Sequence, residues 1–350
     1  MIGTSKISCV KHLWPITMSL LLTVGCTTAG DEVAESLSLP LAFSTSVDTQ
    51  TRGEELATDN LDAVGIFAYF TNGAFDMSTA TPNFMYNQKL EKNGDSWTYS
   101  PIKYWPNNDS DRISFVAYAP YVDEGAGSNP SFSGNKVAGH PILTYTLPLT
   151  ETGKQDFLVG NCLNKKSSDG VVALTMKHAL TQVKFKIKNS ETATFDAVLT
   201  GLEILMPATG ALSFKTSPVS GDFNGVFTWG SYGAQTTLTA DVTLGNGTTV
   251  PLDGTAKEVA SFYLFPLGDP SSLATPQLTY TISKKSPNPE EPVTLTVPVS
   301  LPATPAWKPG ESINYVISVV DDRLEIEDVT SITDFTSGDT GTAGGDITAT

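Results

Sequence analysis

The chain has 350 residues, of which 40% are hydrophobic, and 21 Lys and Arg stand against 37 Asp and Glu for a formal charge of −16. That balance repels phosphate backbones, so nucleic acid is excluded as a natural partner. Three cysteines, at positions 9, 26 and 162, are too few for an internal disulfide framework.

Taken from its start, the chain opens with Lys6, Lys11 and His12, an apolar stretch from Ile16 to Val24, and Gly25 before Cys26. This is the layout of a secretory signal over residues 1–25, and the stretch is shorter than the ~20 apolar residues a membrane span needs. Leu22, Val24, Gly25 and Cys26 resemble the lipobox of bacterial lipoproteins, although Thr23 stands where leucine is commoner. Either Cys26 is acylated and anchors an exported protein to the outer membrane, or an ordinary signal happens to contain a cysteine. Once the signal is cut, Cys9 is gone and Cys162 has no partner, which favours acylation.

Residues 26–52 then read as a tether followed by a strand. Leu37, Leu39, Leu41 and Phe43 alternate with Ser36, Ser38, Pro40 and Ala42, and Pro40 points to an edge position. A polar segment with Arg52-Gly53 follows. Cleavage after Arg52 would free the strand and leave a slot able to accept a strand from another molecule. The alternative is a strand that stays put, with Arg52 merely solvated.

Further along, Val64–Phe70 and Ile113–Tyr118 are dense enough to be central strands. Val183, Phe185 and Ile187 alternate with lysines. Leu238 to Leu244 alternates too, and Asn246-Gly247 predicts a hairpin toward Val250 and Leu252. Val293 to Leu301 keeps the period across Pro298, again an edge signal, and Ile313 to Val319 leads through Asp321-Asp322-Arg323 to Leu324 and Ile326. The pattern predicts an all-β protein of two sandwich domains. The polar stretch Asn189–Thr192 divides it, give or take ten residues either way, into residues 53–190 and 191–336, with a Gly/Thr/Asp-rich tail at 337–350.

Chemistry is sparse. His140, His178 and Cys162 are too scattered for zinc, no nucleophile elbow or phosphate-cradling glycine loop occurs, and no cofactor is expected. Asn107, Asp109 and Asp111 lack the glycine and final acid of a calcium loop. Glu325, Glu327 and Asp328 read as the solvated face of a strand. No enzyme is expected.

Phe84-Met85-Tyr86-Asn87-Gln88, Trp97-Thr98-Tyr99-Ser100-Pro101-Ile102-Lys103-Tyr104-Trp105-Pro106 and Ser114 to Tyr121 resemble the fimbrillin-like family of Bacteroides-type bacteria. Thr51-Arg52 before Val64–Tyr69, Lys177-His178-Ala179-Leu180 before a strand, and Trp307-Lys308-Pro309-Gly310 before Tyr315 extend the match. The resemblance implies two tandem transthyretin-like (Greek-key) β-sandwich domains in a lipoprotein precursor of a surface pilus. It also implies strand exchange between fimbrial subunits after an arginine-specific cut, with Cys26 the lipid site and Arg52 the cleavage site. Shaft members supply a C-terminal donor segment; Leu324 to Phe335 is the candidate here, and it is short. The competing reading is a monomeric surface lipoprotein whose exposed Trp and Tyr stack on host or bacterial glycans. Trp97, Tyr99, Tyr104 and Trp105 also suit packing at a sandwich end.

Overall fold

The computed structural model describes residues 39–47, 51–52, 60–134, 136–215, 226–242, 249–284, 291–320, 323–332 and 335–336. In the first half the strands are β1 Phe43–Val47, β2 Thr51–Arg52, β3 Ala63–Asn72, β4 Met85–Asn93, β5 Ser96–Thr98, β6 Asp111–Ala119, β7 Ser131–Phe132, β8 Ile142–Thr146, β9 Leu158–Lys165 and β10 Val172–His178. They are followed by β11 Thr181–Asn189, β12 Phe195–Pro207, β13 Thr209–Phe214, β14 Phe227–Gly230, β15 Gln235–Ala240, β16 Val250–Leu252 and β17 Lys257–Leu264. After a one-turn helix, Pro270–Leu273, come β18 Thr275–Lys284, β19 Val293–Pro298, β20 Ser312–Val320, β21 Arg323–Ile332 and β22 Phe335–Thr336. The all-β expectation holds.

Seven strands form one sheet in the order β1-β10-β9-β6-β3-β4-β5. Alternation gives this sheet two apolar faces. Val64, Ile66 and Ala68 of β3 and Ile113, Phe115 and Ala117 of β6 join Leu90, Leu174 and Met176 in one cluster. Phe67, Tyr69, Val116 and Tyr118, their sequence neighbours, belong to another. Gly65 matters on this second face, since a Cβ there would come within 2.1 Å of the Tyr118 ring. Against the same face lies the sheet β14-β13-β8-β7. Phe132 reaches both Phe67 and Tyr118 with ring centroids 5.4 Å apart in each case, spacings at which aromatic pairs attract edge-on or tilted.

The second half packs the sheet β17-β11-β20-β21 with β15-β12-β18-β19. Val183, Phe185, Ile187, Tyr315, Leu199, Ile204 and Tyr280 share its core. Strand pairing puts the change of halves ahead of residue 190, at the edge of the ten-residue range given for that boundary. β11 pairs with β17 and β20, both from the second half, with Val183 opposite Phe262 on one side and Ile313 on the other. The chain therefore changes halves at the fully buried Ala179 and Leu180. Conversely β13 returns to pair with β8, Leu212 facing Leu143. Periodicity tells which face of a strand is buried, not which strand lies beside it.

The predicted hairpin is a departure. β15 and β16 both pair with β12, at Leu202–Pro207 and Ala197–Leu199, and so follow one another along the same partner. Asn246 and Gly247 lie outside the described residues. β19 takes the edge position that Pro298 predicted.

Candidate functional site

The leading segment is the structural feature that sequence and fold both single out. Its described part begins at Leu39. β1 lies at one end of the seven-stranded sheet, parallel to β10, with Phe43 opposite Val172 and Val47 opposite Met176. Just before it, residues 39–41 run antiparallel to 103–105, the extended run that follows β5 at the sheet's other end. The Leu41 amide donates to the Lys103 carbonyl at 2.8 Å, the Trp105 amide donates to the Leu39 carbonyl at 2.9 Å, and Pro40 bridges Tyr104. One segment thus pairs with β10 at one end of the sheet and with the run beyond β5 at the other, and covers backbone groups at both.

Side chains reinforce the seam. Leu41, Phe43 and Val47 are 2–6% exposed and belong to the enclosed cluster. Phe43 meets Tyr99 and Phe115 edge-on, at 5.4 Å in each case. The Tyr99 hydroxyl donates to the Leu41 carbonyl at 2.9 Å and accepts from the Lys103 amide at 3.2 Å, so one phenol holds both sides of the seam. Burial pushes that phenol above its ordinary pKa. It stays a donor across the physiological range.

The predicted apolar stripe is shifted by the structure. Leu41 and Phe43 are buried as expected, but Leu39 is 57% exposed, because it stands where the segment enters the seam. The buried row instead continues through Thr45, whose enclosed hydroxyl has no hydrogen-bond partner among the described residues, to Val47. Alternation carried four residues further, from Phe43 to Val47, would have found it. Cys26, Leu37 and Gly53 lie outside the described residues. Arg52 is placed by its backbone in β2, which pairs in parallel with β22, Thr51 opposite Phe335 and Arg52 opposite Thr336.

The aromatic run separates by alternation. Trp105 is 3% exposed and packs inside, Trp97 and Tyr99 are half-buried against the same cluster, and Tyr104 is 53% exposed. Three of the four therefore pack, and Tyr104 faces solvent.

Other candidate groups have structural partners. His178 and Asp156 form a buried pair, Nδ1 to Oδ2 at 2.7 Å, while the other Asp156 oxygen accepts the Phe157 amide. Cys162 is buried, and burial raises its thiol pKa. Near Asp109, Asn108 accepts from the Ser110 amide and hydroxyl, as an Asx turn does. Glu327 pairs with Lys188 at 2.6 Å and accepts from Ser318. Among the described residues no group of three or more His, Cys, Asp or Glu could hold a metal.

Comparison with known proteins gives the setting. Residues 47–334 match the fimbrillin-like family. A Phocaeicola vulgatus protein, fimbrium subunit Fim1C, is 32% identical over 197 residues, 51% of this chain and 52% of the relative. The alignment thus spans about half the relative's length. A crystal structure of a fimbrial protein from Bacteroides vulgatus superposes with a TM-score of 0.62 at 22% identity, covering 84% of this chain and 98% of the other. That likeness is one of fold.

Proposed function

We propose, from the premise that this chain belongs to the fimbrillin-like family, that it is a structural and adhesive fimbrial subunit. In this reading it is exported as a lipoprotein acylated at Cys26. A cut after Arg52 removes the leading segment, and a strand from another subunit takes the vacated place. The subunit starts at the outer membrane and ends in the surface fimbrium.

One observation carries the proposal. The segment upstream of Arg52 is hydrogen-bonded on both sides, to β10 and to residues 103–105, while Leu41, Phe43 and Val47 fill the enclosed core. Its departure would unpair two backbone edges and expose an apolar row, and such a slot accepts an extended strand by β-augmentation. Burying a single leucine or phenylalanine side chain contributes ~1.5–3 kcal/mol, so three buried anchors give a replacement strand ample drive.

Limited trypsin digestion of protein beginning after Cys26 tests the maturation step. The first cut should fall after Arg52, and the cut protein should hold its leading fragment until mild denaturant or a competing strand displaces it. Early cuts within the sandwich strands, with the Arg52 bond intact, would end the proposal.

A further inference from the structure

The outer side of the seam carries an apolar face. Phe70, Asn83, Phe84, Tyr104 and Pro106 line an open pocket of about 310 Å³. Phe70 is 36% exposed and Tyr104 53%, and Ile102, two residues before Tyr104, is 50% exposed. Exposed aromatic side chains clustered in this way mark contact surfaces.

The pocket's amide is committed internally. The Phe70 amide donates to Asn83 Oδ1 at 2.8 Å, and Asn83 Nδ2 donates to the Phe70 carbonyl at 3.2 Å. A hydroxyl-rich ligand would find this amide already engaged, whereas an apolar protein surface loses nothing by covering it. The Lys103 ammonium stands 5.6 Å from the Phe84 ring centroid.

Position supplies the remaining argument. Tyr104 bridges Pro40, so the pocket flanks the slot at the end where the leading segment enters. A replacement strand running in the same direction as residues 39–47 meets β10 in parallel and residues 103–105 antiparallel, with the hydrogen-bonding groups already spaced for it. A strand that follows its own folded body in sequence, entering in that direction, leaves the body beside Tyr104.

We propose that this face is the contact between the bodies of successive subunits, its occupant a second copy of this chain. The proposal rests on the strand-exchange reading above. The face would then contribute to assembly independently of the slot.

The test uses protein cut after Arg52 and freed of its leading fragment. A labelled synthetic peptide of residues 38–48 reports the slot by fluorescence polarisation, and light scattering without peptide reports assembly. Wild type should bind the peptide and should assemble when it is absent. Phe70→Glu, an exposed substitution on β3 outside both sides of the slot, should keep peptide affinity within about twofold yet weaken assembly by about tenfold or more, the loss expected of an interface hot spot. Phe84→Ala should act in the same sense.

Cut protein that binds the peptide but stays monomeric, or Phe70→Glu protein that assembles like wild type, overturns the proposal and spares the slot. Failure to bind the peptide overturns the strand-exchange reading and the proposal with it. Saturable, Tyr104-dependent binding of the uncut protein to a glycan array assigns the face to sugars instead, and overturns the proposal.

Discussion

β1 and β21 are both strands at the edge of a sheet, one leading the chain and one near its end, and they are held in opposite ways. β1 has five residues, yet Phe43 and Val47 reach the enclosed core, and residues 39–41 fasten to a second edge. β21 has ten residues along β20, with Leu324, Ile326 and Val329 half-buried and the rest exposed. Its ladder is long and its side chains bury little. Polar groups such as Glu327, paired with Lys188 and Ser318, add to it at the surface. Depth of burial, rather than number of residues paired, decides which strand leaves a cavity when it goes.

Substitution should expose this contrast most strongly at Phe43. Phe43→Ala should cost about 3–5 kcal/mol in urea unfolding, as large-to-small core changes do, whereas Ile326→Ala on β21 should cost about 1 kcal/mol. Equal losses would break the comparison. Next in size, Tyr99→Phe removes the phenol that spans the seam and should cost about 1 kcal/mol, read in the same denaturation, with faster hydrogen exchange at the Leu41 and Trp105 amides. Slowed exchange there would mean that the phenol does not clamp the two sides. Of opposite sign, Thr45→Val replaces an enclosed hydroxyl that has no partner among the described residues and should raise stability by about 0.5–1 kcal/mol in thermal unfolding.

The smallest effect belongs to β21. Lys188, chiefly, with Ser318 holds the Glu327 carboxyl below its ordinary pKa. A carboxyl depressed in the folded state stabilises fully above its unfolded pKa, and that contribution fades as pH falls through the folded value. The pair is exposed enough to be screened by salt, so Glu327→Gln should cost about 0.2–1 kcal/mol at pH 7. Stability titrations of the two proteins should converge in acid below the unfolded carboxylate range, near pH 4. A constant gap down to pH 2 would show that charge is not what Glu327 contributes.

Much of this was readable from residues. Alternation placed Leu41 and Phe43 on a buried row, and Pro40 and Pro298 pointed to edges. Leu39 misled, because a strand's apolar row says nothing about where the enclosing surface stops. Tyr104 and Trp105 are neighbours of similar chemistry, and only the backbone's turn into the seam decides that one is buried and the other faces water. The seam is invisible in sequence for a further reason: its partners lie more than sixty residues apart and meet through backbone groups that every residue carries. The same holds for β11, whose alternation was plain but whose neighbours come from residues 257–264 and 312–320. The polar residues around 189–192 mark a turn that carries the chain from β11 in one sheet of the second half to β12 in the other.

The return of β13 to β8 bears on how the molecule can be dissected. A fragment ending at residue 190 would present the β8 backbone to water along Ile142–Thr146 and uncover Leu143 and Tyr145, both at most 1% exposed in the intact chain. It would also carry β11 with neither neighbour. The complementary fragment would lack the central strand of one of its own sheets. Gene fragments made on a two-bead plan should therefore aggregate, and deletion work is better confined to the segment before residue 52.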